Sequence, residues 1–286
     1  MRIAVTGASG KLGRTVVREL RAKGHSVVAM DAVGERAPGF VRLSLTDYGQ
    51  VADALAGIDG LHDGLDAVVH LGAIPAPGLA PDSETFHNNM TATFNVFQAA
   101  RRAGITTIVT ASSETVLGLP FDTPPPYLPV DEEYDTRPES MYSLTKHLEE
   151  QLAEKLVRWD PELSITALRF SNVMEPADYA EFPTFDGDPM ARKWNAWGYI
   201  DARDGAQAIE RALTLKHPGF DVFIIAAADT VMSRSSASLA AEVFPSVTVT
   251  KELSEHETLL SIDKARRVLG YSPVFSWRSP RPDGDR

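Results

Sequence analysis

Cysteine is absent from this chain, which excludes disulfides, thiolate nucleophiles and cysteine-ligated metals. No run reaches about 18 apolar residues, so no membrane-spanning helix is expected. Basic residues number 28 against 39 acidic ones and are scattered. That argues against a nucleic-acid face and against a surface for anionic lipid. The first residues pass directly into an apolar strand without a secretory pattern, and no internal repeat or linker divides the chain. What remains is 286 residues, 43% hydrophobic and 23% charged, with net charge −11. This is the profile of a soluble globular protein, expected to be cytoplasmic. No metal site is expected.

The N-terminal fifty residues carry the first informative pattern. Residues 2–6 (RIAVT) read as a β-branched strand, followed at once by Gly7, Ser9, Gly10, Lys11, Leu12 and Gly13. Residues 15–23 read as a helix with Val16, Val17 and Leu20 inward, and 27–30 as a second strand ending at Asp31. Strand, glycine loop, helix, strand, acid is the layout of a dinucleotide-binding βαβ unit. The glycines permit a tight turn and let backbone N–H groups approach a pyrophosphate at the helix N-terminus. Asp31, eighteen residues beyond Gly13, is placed to accept hydrogen bonds from the adenosine ribose. The spacing is G-x-x-G-x-x-G.

Strands and helices continue to alternate. Strands are expected at 41–45, 67–71, 105–110, 165–169, 198–201 and 222–226. Helices are expected at 50–56, 83–103, 141–159, 204–215, 237–243 and 262–269. The apolar run at 67–71 suits a parallel strand buried on both faces. Phe86, Met90, Phe94 and Phe97 recur at helical spacing and suggest a core or dimer face. Residues 120–138 read as a proline-rich loop, 174–196 as a loop-rich lid, and 278–286 as a frayed end. The fold class is α/β, a doubly wound parallel (Rossmann) sheet with a small C-terminal substrate-binding lobe. Residues 1–171 are expected to form the dinucleotide-binding part, completed by about 197–228, and 172–286 mainly the lobe.

The helix at 141–159 is marked by Leu144, Leu148, Leu152 and Leu156 every four residues. Near its start, Tyr142 and Lys146 lie one turn apart on one face. A free phenol titrates at about 10. Lowering that by about 3 units needs about 4 kcal/mol, which one cation at ~4 Å supplies at an effective dielectric of ~20. The pair is a candidate for proton exchange near neutral pH.

Three pieces now stand together: the Thr6–Gly13 loop, Ser112-Ser113 at a strand end, and Tyr142-x-x-x-Lys146. The set resembles the short-chain dehydrogenase/reductase superfamily, in its extended branch of NAD-dependent sugar epimerases, dehydratases and dehydrogenases. Val68 through Leu71, Gly72 and Ala73 is similar to that branch's fourth-strand signature. Asn89-Met90-Thr91-Ala92-Thr93 resembles its Asn-x-x-Gly-Thr segment, and Leu168 through Val173 its sixth strand. The resemblance implies NAD as cofactor, Tyr142 as acid/base, Lys146 as its tuner and ribose ligand, and Ser113 as a partner of the reacting oxygen. It implies that Asn89 supports a water or backbone near Lys146, and that Ser44, Leu45, Leu71, Gly72 and Ala73 border the cofactor. Glu114, Asn172 and Arg192 are the implied substrate residues, and homodimerisation through the helices at 83–103 and 141–159 is implied as well.

Departures bear on the substrate. The 4,6-dehydratases carry an Asp-Glu pair where Glu114-Thr115 stands, so dehydration is disfavoured. Pro75 replaces a serine, Leu117 a tyrosine, and Ser44 the aspartate usual at the end of strand 3. Some resemblance to uronate dehydrogenases makes Arg192 a candidate clamp for a substrate carboxylate. The resemblance therefore implies an NAD-dependent oxidoreductase acting on a hydroxyl-bearing carbon of a sugar or sugar derivative, of the sugar or uronate dehydrogenase type. A nucleotide-sugar epimerase using the same Ser-Tyr-Lys chemistry is the alternative. A non-catalytic NAD(P)-sensing regulator is the alternative of another class. NAD is expected over NADP, because Asp31 repels a 2′-phosphate; Arg14 and Arg36 are the competing candidates to receive one.

Overall fold

The structure, a computed structural model, describes residues 1–35, 37–58, 60, 62–215 and 218–279. Arg36 and most of the tail expected to fray lie outside them. Seven parallel strands form one sheet: β1 Arg2–Thr6, β2 Ser26–Asp31, β3 Phe40–Arg42, β4 Ala67–His70, β5 Thr107–Ser113, β6 Ser164–Phe170 and β7 Gly219–Ile225. Their spatial order is β7-β6-β5-β4-β1-β2-β3. The order reverses between β1 and β4, the switch point at which open α/β sheets bind ligands beyond the carboxyl ends of their strands.

Strand alternation explains the two layers. Ile3, Val5, Val27, Ala29, Val69, Val109 and Leu168 point to one face, with Val16 and Leu20 of α1 (Lys11–Ala22) and Ile209 of α5 (Ala202–Thr214). Ala4, Val28, Met30, Val68, Ile108 and Ile165 point to the other. There they meet α2 (Tyr48–Ala56), α3 (Asp82–Arg102) and α4 (Met141–Trp159) through Leu55, Phe97 and Leu156. Each fully buried aliphatic or aromatic side chain of this kind contributes about 1.5–3 kcal/mol. Two shorter helices follow, α6 (Ser236–Val243) and α7 (Asp263–Leu269).

Several boundaries differ from the sequence expectation for physical reasons. α1 begins at Lys11, four residues before the expected position, because the glycine turn itself closes the first helical turn: Arg14 N–H donates to Gly10 O at 3.0 Å. β3 stops at Arg42 instead of 45. Ser44 leaves the sheet edge to bond Gln50 Oε1 through its N–H (3.0 Å), and Leu45 O accepts from Asn95 Nδ2 (2.9 Å). Residues 176–195, expected as an irregular lid, contain two 3₁₀ stretches, Pro176–Phe185 and Pro189–Asn195. Phe182 is fully buried there, edge-on to Tyr199 and Trp277. Phe182, Trp197, Phe244, Leu259 and Tyr271 belong to the same apolar cluster as β1 and β5, so the C-terminal segments share the core of the sheet. Among the described residues no helix is long and apolar enough to cross a membrane.

α4 buries an unexpected face. On α4 the inward side chains are Tyr142, Ser143, Thr145, Lys146, Glu149, Glu150, Ala153 and Leu156, while Leu144, Leu148 and Leu152 are only partly covered. On α3, Phe97 is buried, but Phe86 and Met90 are half-buried and Phe94 is 51% exposed.

Candidate active site

A cleft of about 1000 Å³ opens at the carboxyl ends of β1, β4 and β5. Gly7, Ser9, Gly10, Lys11, Leu12, Gly13, Asp31, Ser44, Leu45, Leu71, Gly72, Ala73, Ser113, Glu114, Tyr142, Lys146 and Asn172 all line it. Residues separated by over a hundred positions are thus gathered at one place by the strand order.

The cofactor end is shaped by missing side chains. Gly7 has φ 66°, and a Cβ there would sit 2.6 Å from Gly72 N. A Cβ on Gly13 would fall 2.0 Å from Gly7 O. The strand end, turn and helix start therefore approach one another more closely than any larger residue permits, which leaves the N-terminus of α1 open to an anionic group. Asp31 is held from two sides, accepting from Ser9 N–H (2.9 Å) and Val33 N–H (3.2 Å), with lone pairs left for ribose hydroxyls. Thr6 Oγ1 accepts from the N–H groups of Leu71 (3.2 Å) and Gly72 (3.3 Å), tying β1 to the segment after β4. This cradle fits a dinucleotide.

At the reactive end, Tyr142 is 7% exposed and Lys146 4%. Lys146 Nζ donates to Ala111 O (3.0 Å) and to Glu149 Oε2 (2.9 Å). Ser113 Oγ accepts from Thr115 N–H (3.2 Å) and Oγ1 (3.0 Å), which caps the turn after β5. Burial pushes the Tyr142 phenol above its ordinary value; the Lys146 charge and the Ser113 hydroxyl pull it down without overcoming burial. Burial alone would lower Lys146, but Glu149 and Tyr142 outweigh it and hold the ammonium above its usual value. The neutral-range phenol expected from an isolated Tyr–Lys pair is therefore not what the free chain presents. Desolvation of the phenol was missing from that sum, and so was Glu149, which shares the cation.

Glu149 is the functional neighbour that sequence reading missed. It stands at i+3 from Lys146, a spacing that places both on one helix face, so the signal was available. Behind it lies a neutral His70, pushed down to about 3 by burial and then by the Lys146 charge. His70 is hydrogen-bonded to Thr6 Oγ1 (2.8 Å) and Thr93 Oγ1 (3.1 Å). Glu150, also inward, holds Arg169 through paired bonds of 2.9 and 2.8 Å and accepts from Ser112 Oγ at 2.6 Å.

Two expected site residues do not reach the cleft. Asn89 is fully buried; its Oδ1 accepts from Ile74 N–H (2.8 Å) and its Nδ2 donates to Ile74 O (3.1 Å). Its side chain clamps the backbone after β4, the support of a backbone segment being one of the roles expected of it, and does not itself line the cofactor site. Arg192, expected to face a substrate anion, is turned into the protein. Its Nη2 donates to Gly198 O (3.1 Å), and the guanidinium packs over Phe185 (5.2 Å) and Trp194 (5.0 Å). Trp194 lines the cleft in its place. Glu114 does line the cleft, its carboxyl bonded by Ser171 Oγ (2.5 Å) and Asn195 Nδ2 (3.2 Å) and pushed up to about 7 by burial. Among the described residues no group of three or more His, Asp or Glu side chains is arranged to hold a metal ion.

The profile of the NAD dependent epimerase/dehydratase family matches residues 3–226. The chain belongs to this family, and NAD is its cofactor. It is 30% identical over 185 residues to UDP-glucose 4-epimerase of Bacillus subtilis (strain 168), covering 60% of this chain and 52% of that one. It is 31% identical over 155 residues to uronate dehydrogenase of Pseudomonas syringae pv. tomato, covering 53% and 52%. The chain thus spans about half the length of the curated relatives it matches. A solved short-chain dehydrogenase/reductase superfamily protein from Agrobacterium tumefaciens, with bound NAD, superposes with a TM-score of 0.73 at 25% identity. That match covers 97% of this chain and 94% of the other.

Proposed function

We propose that this chain is an NAD-dependent oxidoreductase acting on a hydroxyl-bearing carbon of a sugar or sugar derivative, as a dehydrogenase. The observation that carries the reading is the convergence of Ser113, Tyr142 and Lys146 in the cleft whose other end is the glycine cradle. NAD, when bound, supplies the hydride acceptor or donor. Ser113 holds the reacting substrate oxygen. In sugar oxidation the Tyr142 phenolate, stabilised by the Lys146 ammonium, takes its proton and becomes the phenol as hydride leaves the carbon; in the reverse direction the phenol returns it. Ala111 O and Glu149 fix Lys146 in position for this. Leu119, Phe170 and Trp194 give the cleft apolar walls that exclude water. The cleft volume is at the upper end for a small-molecule site, and a dinucleotide occupies much of it, which favours a small second substrate. The test is a screen of sugars for NAD reduction. Net NADH formation supports a dehydrogenase; isomerised sugar without net NADH points to an epimerase. No conversion with tight NAD binding points to a sensing role.

NAD is expected to bind at least about tenfold more tightly than NADP, equivalent to about 1.4 kcal/mol. Asp31 would face a 2′-phosphate with like charge. Arg14, the nearby described guanidinium, is already paired with Glu175 and does not line the cleft. Titration calorimetry with both cofactors checks this; an Asp31→Ala variant that keeps the wild-type preference would refute the role of Asp31.

We also propose a homodimer built on α3 and α4. Leu144, Leu148, Leu152, Phe86, Met90 and Phe94 are apolar side chains left partly or largely uncovered on two neighbouring helices. A second copy covers them. Sedimentation equilibrium is expected to give twice the chain mass, and Leu148→Glu to give the single mass with NAD affinity retained. A wild-type chain that sediments as a monomer at micromolar concentration removes this proposal.

A further inference from the structure

We infer, resting on the oxidoreductase reading above, that the substrate is an uncharged sugar or polyol, without carboxylate or phosphate, recognised through its hydroxyls by Glu114. Among the described residues, Lys11 and Lys146 are the cations that line the cleft. Each is already engaged: Lys11 Nζ with Asp178 at 2.7 Å at the glycine loop, and Lys146 with Glu149 and Ala111 O at the reacting centre. The guanidinium of Arg192 is enclosed by Phe185, Trp194 and Gly198 O, and the residue is 6% exposed. Swinging it into the cleft would break the Gly198 bond and vacate two aromatic faces. Among the described residues no free cation is left at the reacting end to neutralise a uronate carboxylate or the diphosphate of a nucleotide sugar.

What stands there instead is an acceptor. Glu114 follows Ser113 directly, lines the cleft and is 2% exposed. Ser171 and Asn195 each donate to one of its oxygens, fixing the carboxyl plane while leaving further lone pairs for substrate hydroxyls. A substrate anion brought to about 6 Å from this carboxylate at an effective dielectric of ~20 loses about 100-fold in affinity. A neutral hydroxyl loses nothing and gains a charge-assisted bond.

The charge on Glu114 also gives the inference a signature in pH. The groups facing it are Ser171, Asn195, the Asn172 N–H, Arg192 and Tyr142. Burial raises its pKa to about 7 against the pull of the first four. Below that value the carboxyl is neutral and tolerates an anion; above it the repulsion is complete. A uronate stays ionised throughout. Tyr142 titration acts on both substrates and cancels in their ratio.

The experiment measures kcat/KM with NAD for sugar pairs of the same ring stereochemistry, glucose with glucuronate and galactose with galacturonate, together with UDP-glucose. The readings run from pH 6 to pH 9. The expected result is a preference for the neutral member of about 100-fold at pH 9 that narrows towards pH 6. In Glu114→Gln, whose NAD affinity verifies folding, the ratio becomes independent of pH. Turnover confined to the uronates or to UDP-glucose overturns the inference while leaving the oxidoreductase reading intact. So does a ratio whose pH dependence survives in Glu114→Gln. Absence of turnover with every compound overturns the oxidoreductase reading and this inference with it.

Discussion

Tyr142→Phe is expected to reduce turnover on an accepted sugar by about 10²–10⁴-fold, the usual worth of a positioned general acid or base. The substitution removes one oxygen from a side chain that is 7% exposed, so the ring keeps its packing and NAD affinity stays within about twofold. The phenol is raised by burial in the free chain. Its basic form is therefore populated only at alkaline pH, and sugar oxidation by the wild type should rise with pH into that range. The Phe variant should lose this dependence along with the rate. Stopped-flow absorbance of NADH formation measures both. A variant turning over at near the wild-type rate would show that another group carries the proton.

Gly13→Ala is expected to damage the cofactor site more than any other single methyl group. Its Cβ would fall 2.0 Å from Gly7 O, 2.8 Å from Gly7 C and 2.9 Å from Ala8 Cα. All three are backbone atoms, so no side chain can rotate away. Either the start of α1 retreats from the turn or the turn itself opens. Overpacking of this kind costs about 1–3 kcal/mol, and NAD affinity should fall by roughly 10–100-fold. Gly187→Ala serves as the control, since a Cβ there meets nothing within 4 Å. Thermal unfolding and NAD titration of the two variants give the comparison, and equal behaviour of the pair would disprove the steric account of Gly13.

The parts legible in the sequence were those in which local chemistry and fold agree. Glycines at 7, 10 and 13 between a strand and a helix, with Asp31 at the next strand end, describe one compact unit whose contacts are close in sequence. The helix α4 was equally readable from the leucines' period of four, and the structure adds that Ser140 caps it through a reciprocal bond with Ser143. The leucine period marked the helix without marking its inner face. Pattern reading places apolar groups inside, whereas here the inner face carries Tyr142, Ser143, Thr145, Lys146, Glu149 and Glu150. Arg192 was carried over from the resemblance to uronate dehydrogenases, whereas in the structure Phe185 and Trp194, close to it in the chain, offer it two ring faces. Glu114 was recognised as a substrate residue from the resemblance, yet the Ser171 and Asn195 bonds that hold it come from segments 57 and 81 residues away. Contacts at such separations leave no periodic trace in a single sequence.

The inward face of α4 has a mechanical consequence. Apolar surfaces tolerate small translations, because one methyl group against another is much the same a half ångström further along. α4 is seated on the sheet differently. Lys146 reaches Ala111 O, and Glu150 grips Arg169 with both oxygens while accepting from Ser112. These bonds are directional, they join one helix to two adjacent strands, and every one of them lengthens if the helix slides or rolls. The helix consequently has a single register on the sheet. Tyr142 inherits that register, so the distance from its oxygen to Ser113 is set by the anchoring of Lys146 and Glu150, one and two turns further along, and not by the snugness of its own pocket.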